Sequence, residues 1–218
     1  MSKKPLAIVI LAAGKGTRMK SESPKVMHAL AGRPMIGWLL ETVAQLSPQK
    51  IFVVVGPGMP ELVAAAAPHA CVVQKERNGT GGAVKIALPA LKNFSGDVLV
   101  LLGDTPLISV KTLKSLIAAR GNDGIAVLGM NLADPTGYGR LIADNDGTLQ
   151  KIVEEKDASS REKSVTLVST GAFCIDGAKI DGWVKKIGSN NAAGEFYLTD
   201  LPEIAAASGA KTKICITN

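Results

Sequence analysis

The sequence predicts an α/β fold, in which helices cover both faces of a mixed, mostly parallel central sheet. Short apolar runs rich in Val and Ile alternate along the chain with longer segments whose apolar residues recur at helical spacing. Strands that are apolar throughout are typical of parallel sheets, because helices bury both faces of such sheets. No linker-like change in composition interrupts the alternation. We therefore expect one domain over residues 1–218.

Each predicted element follows from its own pattern. Strands are expected where Val, Ile and Leu form continuous runs, at residues 6–11, 51–55, 71–74, 97–102, 125–130, 149–153, 165–175 and 213–217. Helices are expected at residues 35–46, 61–67, 81–91, 110–120 and 178–186. The turn sequence Asp144-Asn-Asp-Gly147 predicts a β-hairpin, and hence a small lobe beside the main sheet.

Composition excludes several classes of protein. Hydrophobic residues make up 46% and charged residues 20% of the chain, which argues against disorder. The formal charge is +6, but the basic residues are scattered and aromatic residues are only 4%, so a nucleic-acid partner is not expected. A small polyanionic substrate explains the charge better.

The cysteines and the hydropathy pattern bear on the compartment. Cys71, Cys174 and Cys215 lie in apolar runs without metal-ligand spacing, and an odd count argues against a disulfide framework. We expect them to be reduced core residues. No run approaches the roughly 18 apolar residues of a membrane span, and no signal peptide is apparent. The sequence thus predicts a soluble, cytoplasmic protein without a membrane partner.

The first predicted strand leads into a loop rich in glycines and cations. Four small residues leave the backbone open to an anion: Ala12, Ala13, Gly14 and Gly16. Lys15, Arg18 and Lys25 add positive charge, and Arg18 could hold phosphate oxygens in a planar fork. The pattern predicts a polyphosphate site. For the glycines alone, the alternative is a tight strand-to-helix turn with solvated charges around it.

The loop matches neither of the two common nucleotide motifs. A dinucleotide fingerprint needs a glycine three residues beyond Gly16, where Met19 stands, and an acid at the end of the second strand. A P-loop needs Gly-Lys-Ser or Gly-Lys-Thr, and no glycine here is followed in that way. Hydride transfer and P-loop hydrolysis are therefore disfavoured.

An aspartate directly follows the buried strand at residues 97–102. Ligands of open α/β sheets bind beyond the carboxyl ends of the strands, where Gly103 and Asp104 would lie near the glycine-rich loop. One carboxylate beside phosphates suits Mg²⁺, whose other ligands are water and phosphate oxygens. Alternatively, Asp104 caps a turn that Pro106 stiffens. Together with the loop, the pattern favours the metal.

The chain resembles the nucleoside-diphosphate-sugar pyrophosphorylases. The similarity is carried by LAAGKGTRM with the following Pro-Lys, and by LLGDTPLI, DPTGYGR, IVEEKDA and GEFYLTD. It is strongest to the bacterial uridyltransferases of that family. The resemblance implies a Rossmann-like nucleotidyltransferase fold and Mg²⁺-dependent uridylyl transfer from UTP to N-acetylglucosamine-1-phosphate. The products would be pyrophosphate and UDP-N-acetylglucosamine, a precursor of peptidoglycan and lipopolysaccharide.

The resemblance also implies roles for individual residues. The catalytic residues would be Arg18, Lys25 and Asp104, with Asp104 as the metal ligand. The nucleotide-binding residues would be Leu11, Ala12, Ala13, Gly14, Lys25, Gln74, Gly79, Thr80 and Gly103. The sugar-binding residues would be Gly139, Glu154, Ser169, Glu195, Tyr197 and Thr199. An amide such as Gln74 can read a base edge, although Thr80 could equally be the N-cap of the next helix.

Two departures from the family pattern qualify these roles. Ser169 stands where the family usually has Asn, so a contact to the sugar could be shortened or water-mediated. Separately, Phe196 and Leu198 could face the core, in which case Tyr197 between them would face solvent. The sequence ends at Asn218 without the family's Asn metal ligand or a left-handed β-helix, so acetyl transfer is not expected and the oligomeric state is not readable.

Two other functions stay open at this point. The first is a nucleotidyltransferase of the same fold that uses another nucleotide or another sugar-1-phosphate. The second is a catalytically weak module that binds nucleotide sugars, which the missing Asn ligand and Ser169 would favour.

Overall fold

The structure, a computed structural model, describes residues 4–14, 16, 19–21 and 23–217. The strands in these residues are β1 (Leu6–Leu11), β2 (Ala29–Leu30), β3 (Arg33–Pro34), β4 (Lys50–Val55), β5 (Ala70–Val73), β6 (Asp97–Leu102), β7 (Ile125–Asn131), β8 (Arg140–Ala143), β9 (Leu149–Val153), β10 (Leu167–Asp176) and β11 (Thr212–Thr217). The α-helices are α1 (Met35–Ala44), α2 (Pro60–Ala65), α3 (Thr80–Ala87), α4 (Val110–Arg120), α5 (Ser160–Lys163), α6 (Ile180–Val184) and α7 (Leu201–Ala206).

One sheet organises the fold, with the strand order β11-β7-β10-β6-β1-β4-β5. Strand β1 pairs in parallel with both β4 and β6, and β4 pairs in parallel with β5. Strand β10 runs antiparallel to β6 and to β7, which makes the sheet mixed. The hairpin of β8 and β9 joins the sheet through β10. The predicted α/β class, with its mostly parallel sheet, is confirmed.

The alternation of side chains along β1 divides the core into two layers. Ala7, Val9 and Leu11 face the layer under α3, α6 and α7. Ile8 and Ile10 face the opposite layer, which α1, α2 and α4 cover. A strand buried on both faces cannot carry polar side chains without cost, so the polar groups collect where the strands end.

Several predicted boundaries need correction. The helix predicted over 81–91 is α-helical only to Ala87 and continues as a 3-10 helix at Leu88–Leu91, because Pro89 lacks the N–H that an α-helix requires there. Thr80 is not the N-cap of α3: Gly79 occupies that position and Thr80 is the first helical residue. The small hairpin β2–β3 and the short helix α5, which a Ser159–Glu162 capping box starts, were not predicted.

The cysteines fit the expectation only in part. All three are free, but only Cys174 is buried, whereas Cys71 and Cys215 are half-buried. Burial raises the pKa of the Cys174 thiol to about 12, so this side chain behaves as a small core residue. Separately, no helix in the described part of the chain is long and apolar enough to cross a membrane.

Candidate functional site

A pocket of about 300 Å³ opens beyond the carboxyl ends of the central parallel strands. Its walls come from the loops that follow β1, β5 and β6, which adjacent or nearly adjacent strands deliver to one edge of the sheet. The lining residues are Leu11, Ala12, Ala13, Gly14, Lys25, Val26, Gln74, Arg77, Gly79, Thr80, Ala83, Leu102, Asp104 and Glu195. We refer to it as the first pocket.

Lys25 and Asp104 form an ion pair in the first pocket. The Lys25 Nζ atom lies 2.5 Å from Oδ2 of Asp104, and the two side chains are 44% and 27% exposed. Buried packing beneath the pair fixes its position: Gly103 donates a backbone hydrogen bond to Leu11 (2.9 Å), and a Cβ atom on Gly103 would lie only 2.9 Å from Cγ1 of Val26. The pair thus combines a cation and a carboxylate beside the glycine-rich loop, while both remain open to a ligand.

The glycine-rich loop packs closely against Lys25. Gly16 has a φ of +64°, and a Cβ atom there would lie 2.7 Å from Cβ of Lys25, so only glycine fits without movement. Two of the cations predicted for this loop, Lys15 and Arg18, lie outside the described residues. Within the described part, the loop brings its small residues and Lys25 together at the end of β1.

Gln74 is a buried amide at the end of β5, only 4% exposed. Its Nε2 group donates to Oδ1 of Asn78 (3.2 Å) and to the carbonyl of Gly79 (3.3 Å). Both donors of the amide are thereby directed into its own loop. No described residue donates to Oε1, so Gln74 presents an acceptor in the first pocket.

The loop that carries Gly79 is joined to a distant segment by backbone hydrogen bonds. Phe196 donates to the carbonyl of Asn78 (2.8 Å) and accepts from Gly81 (2.7 Å), while the Leu198 N–H donates to Oγ1 of Thr80 (3.0 Å). A Cβ atom on Gly79, whose φ is +100°, would lie 2.5 Å from the Phe196 carbonyl. We call residues 78–81 and 196–198 the bridging segments.

A second pocket, of about 250 Å³, is lined in part by Thr80 and Leu198 of the bridging segments. The residues that line it are Thr80, Leu102, Gly137, Tyr138, Gly139, Glu154, Ser169, Thr170, Gly171, Phe173, Leu198 and Thr199. Thr80 and Leu102 also line the first pocket, so the two pockets are neighbours along one site.

Glu154 is the carboxylate of the second pocket. Its Oε1 atom accepts a hydrogen bond from Oγ1 of Thr199 (2.9 Å). Burial raises the pKa of Glu154, and the negative charges of Asp157 and Glu195 act in the same direction. No cation of the described residues pairs with this carboxylate, so hydrogen-bond donors from a ligand would stabilise its ionised form.

A bulge in β10 shapes the wall opposite Glu154. The pairing of β10 with β7 shifts between Ser169 and Phe173, where Gly171 adopts a φ of +80°. The Ser169 N–H donates to the Gly139 carbonyl (2.8 Å), and Oγ of Ser169 accepts from the Gly171 N–H (3.1 Å). The Ser169 hydroxyl therefore supports the bulge and keeps its own proton free for donation.

Arg140 and Glu155 hold the turn that carries Gly139. Nη2 of Arg140, which is 1% exposed, lies 2.6 Å from Oε2 of Glu155, and its Nη1 group donates to the Tyr138 carbonyl. The same Glu155 oxygen accepts from the Gly137 N–H (3.2 Å), and the hydrogen bond from Arg140 lowers the pKa of Glu155. No sequence signal distinguishes these two residues, although both stand inside the DPTGYGR and IVEEKDA segments.

Most predicted site residues gather in the two pockets. The predicted nucleotide residues line the first pocket, apart from Gly103, which packs against Leu11, Ala12 and Val26. Gly139, Glu154, Ser169 and Thr199 line the second pocket, and their assignment to the sugar stays a prediction.

Two of the residues predicted for sugar binding lie elsewhere. Glu195 lines the first pocket rather than the second, because its backbone follows the bridging segment past Gly79. Tyr197 is in neither lining set. Burial raises its pKa, together with the charges of Asp157 and Glu154, so it sits against carboxylates beside the second pocket. Among the charged residues of the two described linings, Arg77 alone was not predicted; its only sequence signal is a cation in a glycine-rich turn.

Comparison with known proteins identifies the family. Residues 8–150 match the MobA-like NTP transferase domain. The chain is 50% identical over 212 residues to the bifunctional protein GlmU of Neisseria meningitidis FAM18, covering 97% of this chain and 46% of that protein. It is 46% identical over 213 residues to GlmU of Paramagnetospirillum magneticum, covering 96% and 47%. The chain thus spans about half the length of these relatives.

A solved structure supports the same fold. A Bacillus anthracis protein provisionally assigned as a glucose-1-phosphate thymidylyltransferase, crystallised in complex with sucrose, superposes with a TM-score of 0.78. The superposition covers 98% of this chain and 87% of that one at 18% identity, which bears on the fold alone. The two adjoining pockets at the carboxyl edge of the sheet thus stand on a nucleotidyltransferase scaffold, and the matched domain shows that the chain belongs to the MobA-like NTP transferase family.

Proposed function

We propose that this protein transfers uridylyl from UTP to N-acetylglucosamine-1-phosphate and releases pyrophosphate. The observation that carries the proposal is the continuous site, in which the Lys25–Asp104 pair lies at a first pocket that shares Thr80 and Leu102 with a second. A nucleotide and a sugar phosphate bound in these pockets would meet at their phosphates. Identity of about half with the GlmU proteins over nearly the whole chain supports the same assignment.

The choice of uracil rests on the orientation of Gln74. Because its amide nitrogen is hydrogen-bonded within its own loop, the group left for a base is the acceptor Oε1. Uracil has an N3–H donor at its Watson–Crick edge, whereas cytosine has an acceptor at N3. With position 3 of the base placed at Oε1, uracil donates its N3–H, whereas cytosine presents a lone pair there and would have to shift to donate from its N4 amino group, which favours UTP over CTP.

The chemistry needs no covalent nucleophile from the protein. An oxygen of the sugar-1-phosphate attacks the α-phosphorus of UTP, a new P–O bond forms, and the bond to the β-phosphate breaks so that pyrophosphate leaves. Lys25 would stabilise the charge around the α-phosphate, and the Gly14 to Gly16 amides together with Arg18 would hold the β- and γ-phosphates. The contribution of the protein is position and electrostatics.

Asp104 fits a divalent cation that arrives with the nucleotide. The described residues contain no cluster of three or more potential metal ligands, but Mg²⁺ on a polyphosphate requires only one or two protein carboxylates. Asp104 is such a carboxylate, partly exposed at the wall of the first pocket. When bound, Mg²⁺ would offset the charge of the phosphates. We propose it as the cofactor because the octahedral oxygen ligation it prefers suits this donor set.

The second pocket would bind the sugar. The Glu154 carboxylate can accept hydrogen bonds from hydroxyl or amide groups, and the Ser169 hydroxyl can donate one.

The free cysteines suit a reducing compartment, so we place the reaction in the cytoplasm.

Pyrophosphate release by the 218-residue chain tests the proposal. We expect release with UTP, N-acetylglucosamine-1-phosphate and Mg²⁺, and its loss on addition of EDTA. CTP, GTP and TTP, and other sugar-1-phosphates, are the comparison substrates. No release from any pair, together with thermal stabilisation by UDP-N-acetylglucosamine, would contradict the enzymatic proposal and identify a nucleotide-sugar binding module instead.

A further inference from the structure

Arg77 spans the carboxyl ends of three adjacent strands. It belongs to the loop after β5, yet its Nε atom donates to the carbonyl of Ala13 in the loop after β1, at 2.7 Å. Its guanidinium crosses the end of β4, where a Cβ atom on Gly56 would lie 3.1 Å from Cζ and overlap Nη2. The absence of a side chain at Gly56 therefore creates the path along which Arg77 reaches the glycine-rich loop.

The hydrogen bond to Ala13 also fixes the neighbouring amide. The Ala13 carbonyl and the Gly14 N–H belong to one planar peptide group, in which they point in opposite directions. When Arg77 holds the carbonyl, the N–H of Gly14, a residue that lines the first pocket, is held pointing in the opposite direction. No acceptor for this N–H lies among the described residues, so an anionic ligand can be its partner.

No described carboxylate forms an ion pair with Arg77. None of the ion pairs in the described part of the chain involves Arg77, and the side chain is exposed at the wall of the first pocket. A cation that served only to fix the fold would be expected to pair with an acid or to be buried. Arg77 instead binds a carbonyl of the loop predicted to hold phosphate.

We propose that Arg77 is a positioning residue: it fixes the Ala13–Gly14 peptide group so that the Gly14 N–H is preorganised for the phosphates of the nucleotide. This inference rests on the proposed function, because it assumes that the first pocket binds a nucleoside triphosphate. It assigns Arg77 to the phosphates, although its neighbours in sequence, Gln74 and Gly79, are assigned to the base.

The first test compares UTP with uridine. In the Arg77→Ala variant, we expect the Kd of UTP to rise roughly 10-fold, the scale for losing a charge-assisted hydrogen bond, while the Kd of uridine stays within about twofold. Titration calorimetry or ligand competition gives both constants. Lys75→Ala is the matched control, because Lys75 is an exposed cation of the same loop that does not line the pocket. We expect it to leave both constants unchanged.

The second test separates position from charge. Gly56→Ala keeps every charge, but its methyl group would overlap the guanidinium and displace it from Ala13. We expect Gly56→Ala to weaken UTP binding to a similar degree, and to have no further effect in the Arg77→Ala background. Such non-additivity is the signature of one shared contact. Thermal unfolding of each variant checks that the fold is intact.

Three results would overturn the inference. Equal losses for uridine and UTP would show that Arg77 supports the whole pocket. Unchanged UTP binding in Gly56→Ala, with a loss in Arg77→Ala, would show that charge alone acts. Unchanged UTP binding in both variants would show that the contact is unimportant. These measurements need no turnover, so failure of the wild-type chain to release pyrophosphate would contradict the proposed function separately.

Discussion

The two pockets meet at Thr80 and Leu102 but are built by different means. The walls of the first pocket are loops that follow parallel strands, and its close contacts depend on glycines such as Gly16 and Gly103. The second pocket lies between a hairpin and a bulged antiparallel strand, and side-chain pairs such as Arg140–Glu155 hold its turns. Under the proposed function, we therefore expect substitutions of side-chain pairs around the second pocket to change sugar binding more than nucleotide binding.

The largest expected effect comes from the ion pair of the first pocket. Lys25→Ala and Asp104→Ala should each lower kcat/KM by about 10²-fold or more, because each removes a preorganised charge at the reacting phosphates. Steady-state pyrophosphate release measures the loss. Asp146→Ala, an exposed acid in the hairpin turn, is the control that should retain full turnover. Normal turnover in either pocket variant, with an intact fold, would remove this pair from catalysis.

A smaller effect, confined to the sugar side, is expected from Glu155→Gln. The variant leaves the guanidinium of Arg140 buried without its charged partner, which should lower the free energy of unfolding. It should also raise the KM of the sugar phosphate without changing that of UTP. Denaturant unfolding and two-substrate kinetics give the two quantities. Glu76→Gln, at an exposed acid, is the control. Equal changes in both KM values would mean that the pockets are not built independently.

Glu154 provides a prediction about pH. Burial raises the pKa of this carboxyl, so it loses its charge at a higher pH than an ordinary glutamate as the solution is acidified. The KM of the sugar phosphate should therefore rise as the pH falls through this raised pKa, while the KM of UTP follows a different profile. Glu154→Gln should raise the sugar KM about 10-fold and abolish the pH dependence. A variant with the wild-type profile would exclude Glu154 as its source.

The smallest effect is expected at Asp200, beside the second pocket. Burial and the charge of Glu203 raise the pKa of Asp200 to about 6, above the value of an unfolded aspartate. Ionisation of the folded state is thus unfavourable at neutral pH, and this penalty is relieved as the pH falls through about 6. Asp200→Asn should stabilise the protein by about 1 kcal/mol at pH 8, after allowance for solvent screening, and by progressively less below pH 6. Unfolding at several pH values tests the trend. A constant difference between variant and wild type would contradict the raised pKa.

The parts that could be predicted from the sequence are those with local signals. Strand β1 has the predicted bounds of Leu6–Leu11, because a continuous apolar run can be satisfied only inside a sheet. The convergence of the Gly14 loop, Gln74 and Asp104 followed from the rule that parallel strands end at one edge. The family assignment is confirmed, while the individual residue roles stay predictions.

The parts that could not be predicted depend on contacts between distant residues. Neither Arg77 nor Glu195 carries a local sign of the loop it lies beside, since the Arg77–Ala13 contact joins residues 64 positions apart. The bulge at Ser169–Phe173 depends on Gly171 fitting against Leu102 of another strand. Tertiary packing determines such features, so they cannot be predicted from the hydrophobic periodicity of a single segment.

The bridging segments should couple ligand binding in one pocket to ligand binding in the other. Gly79 and Thr80 line the first pocket, Leu198 lines the second, and hydrogen bonds join the two segments. A ligand that orders one segment lowers the entropy cost of ordering the other, so the second ligand binds to a chain already restrained. Thermodynamic linkage makes this assistance reciprocal. UTP and the sugar phosphate should therefore each tighten the binding of the other.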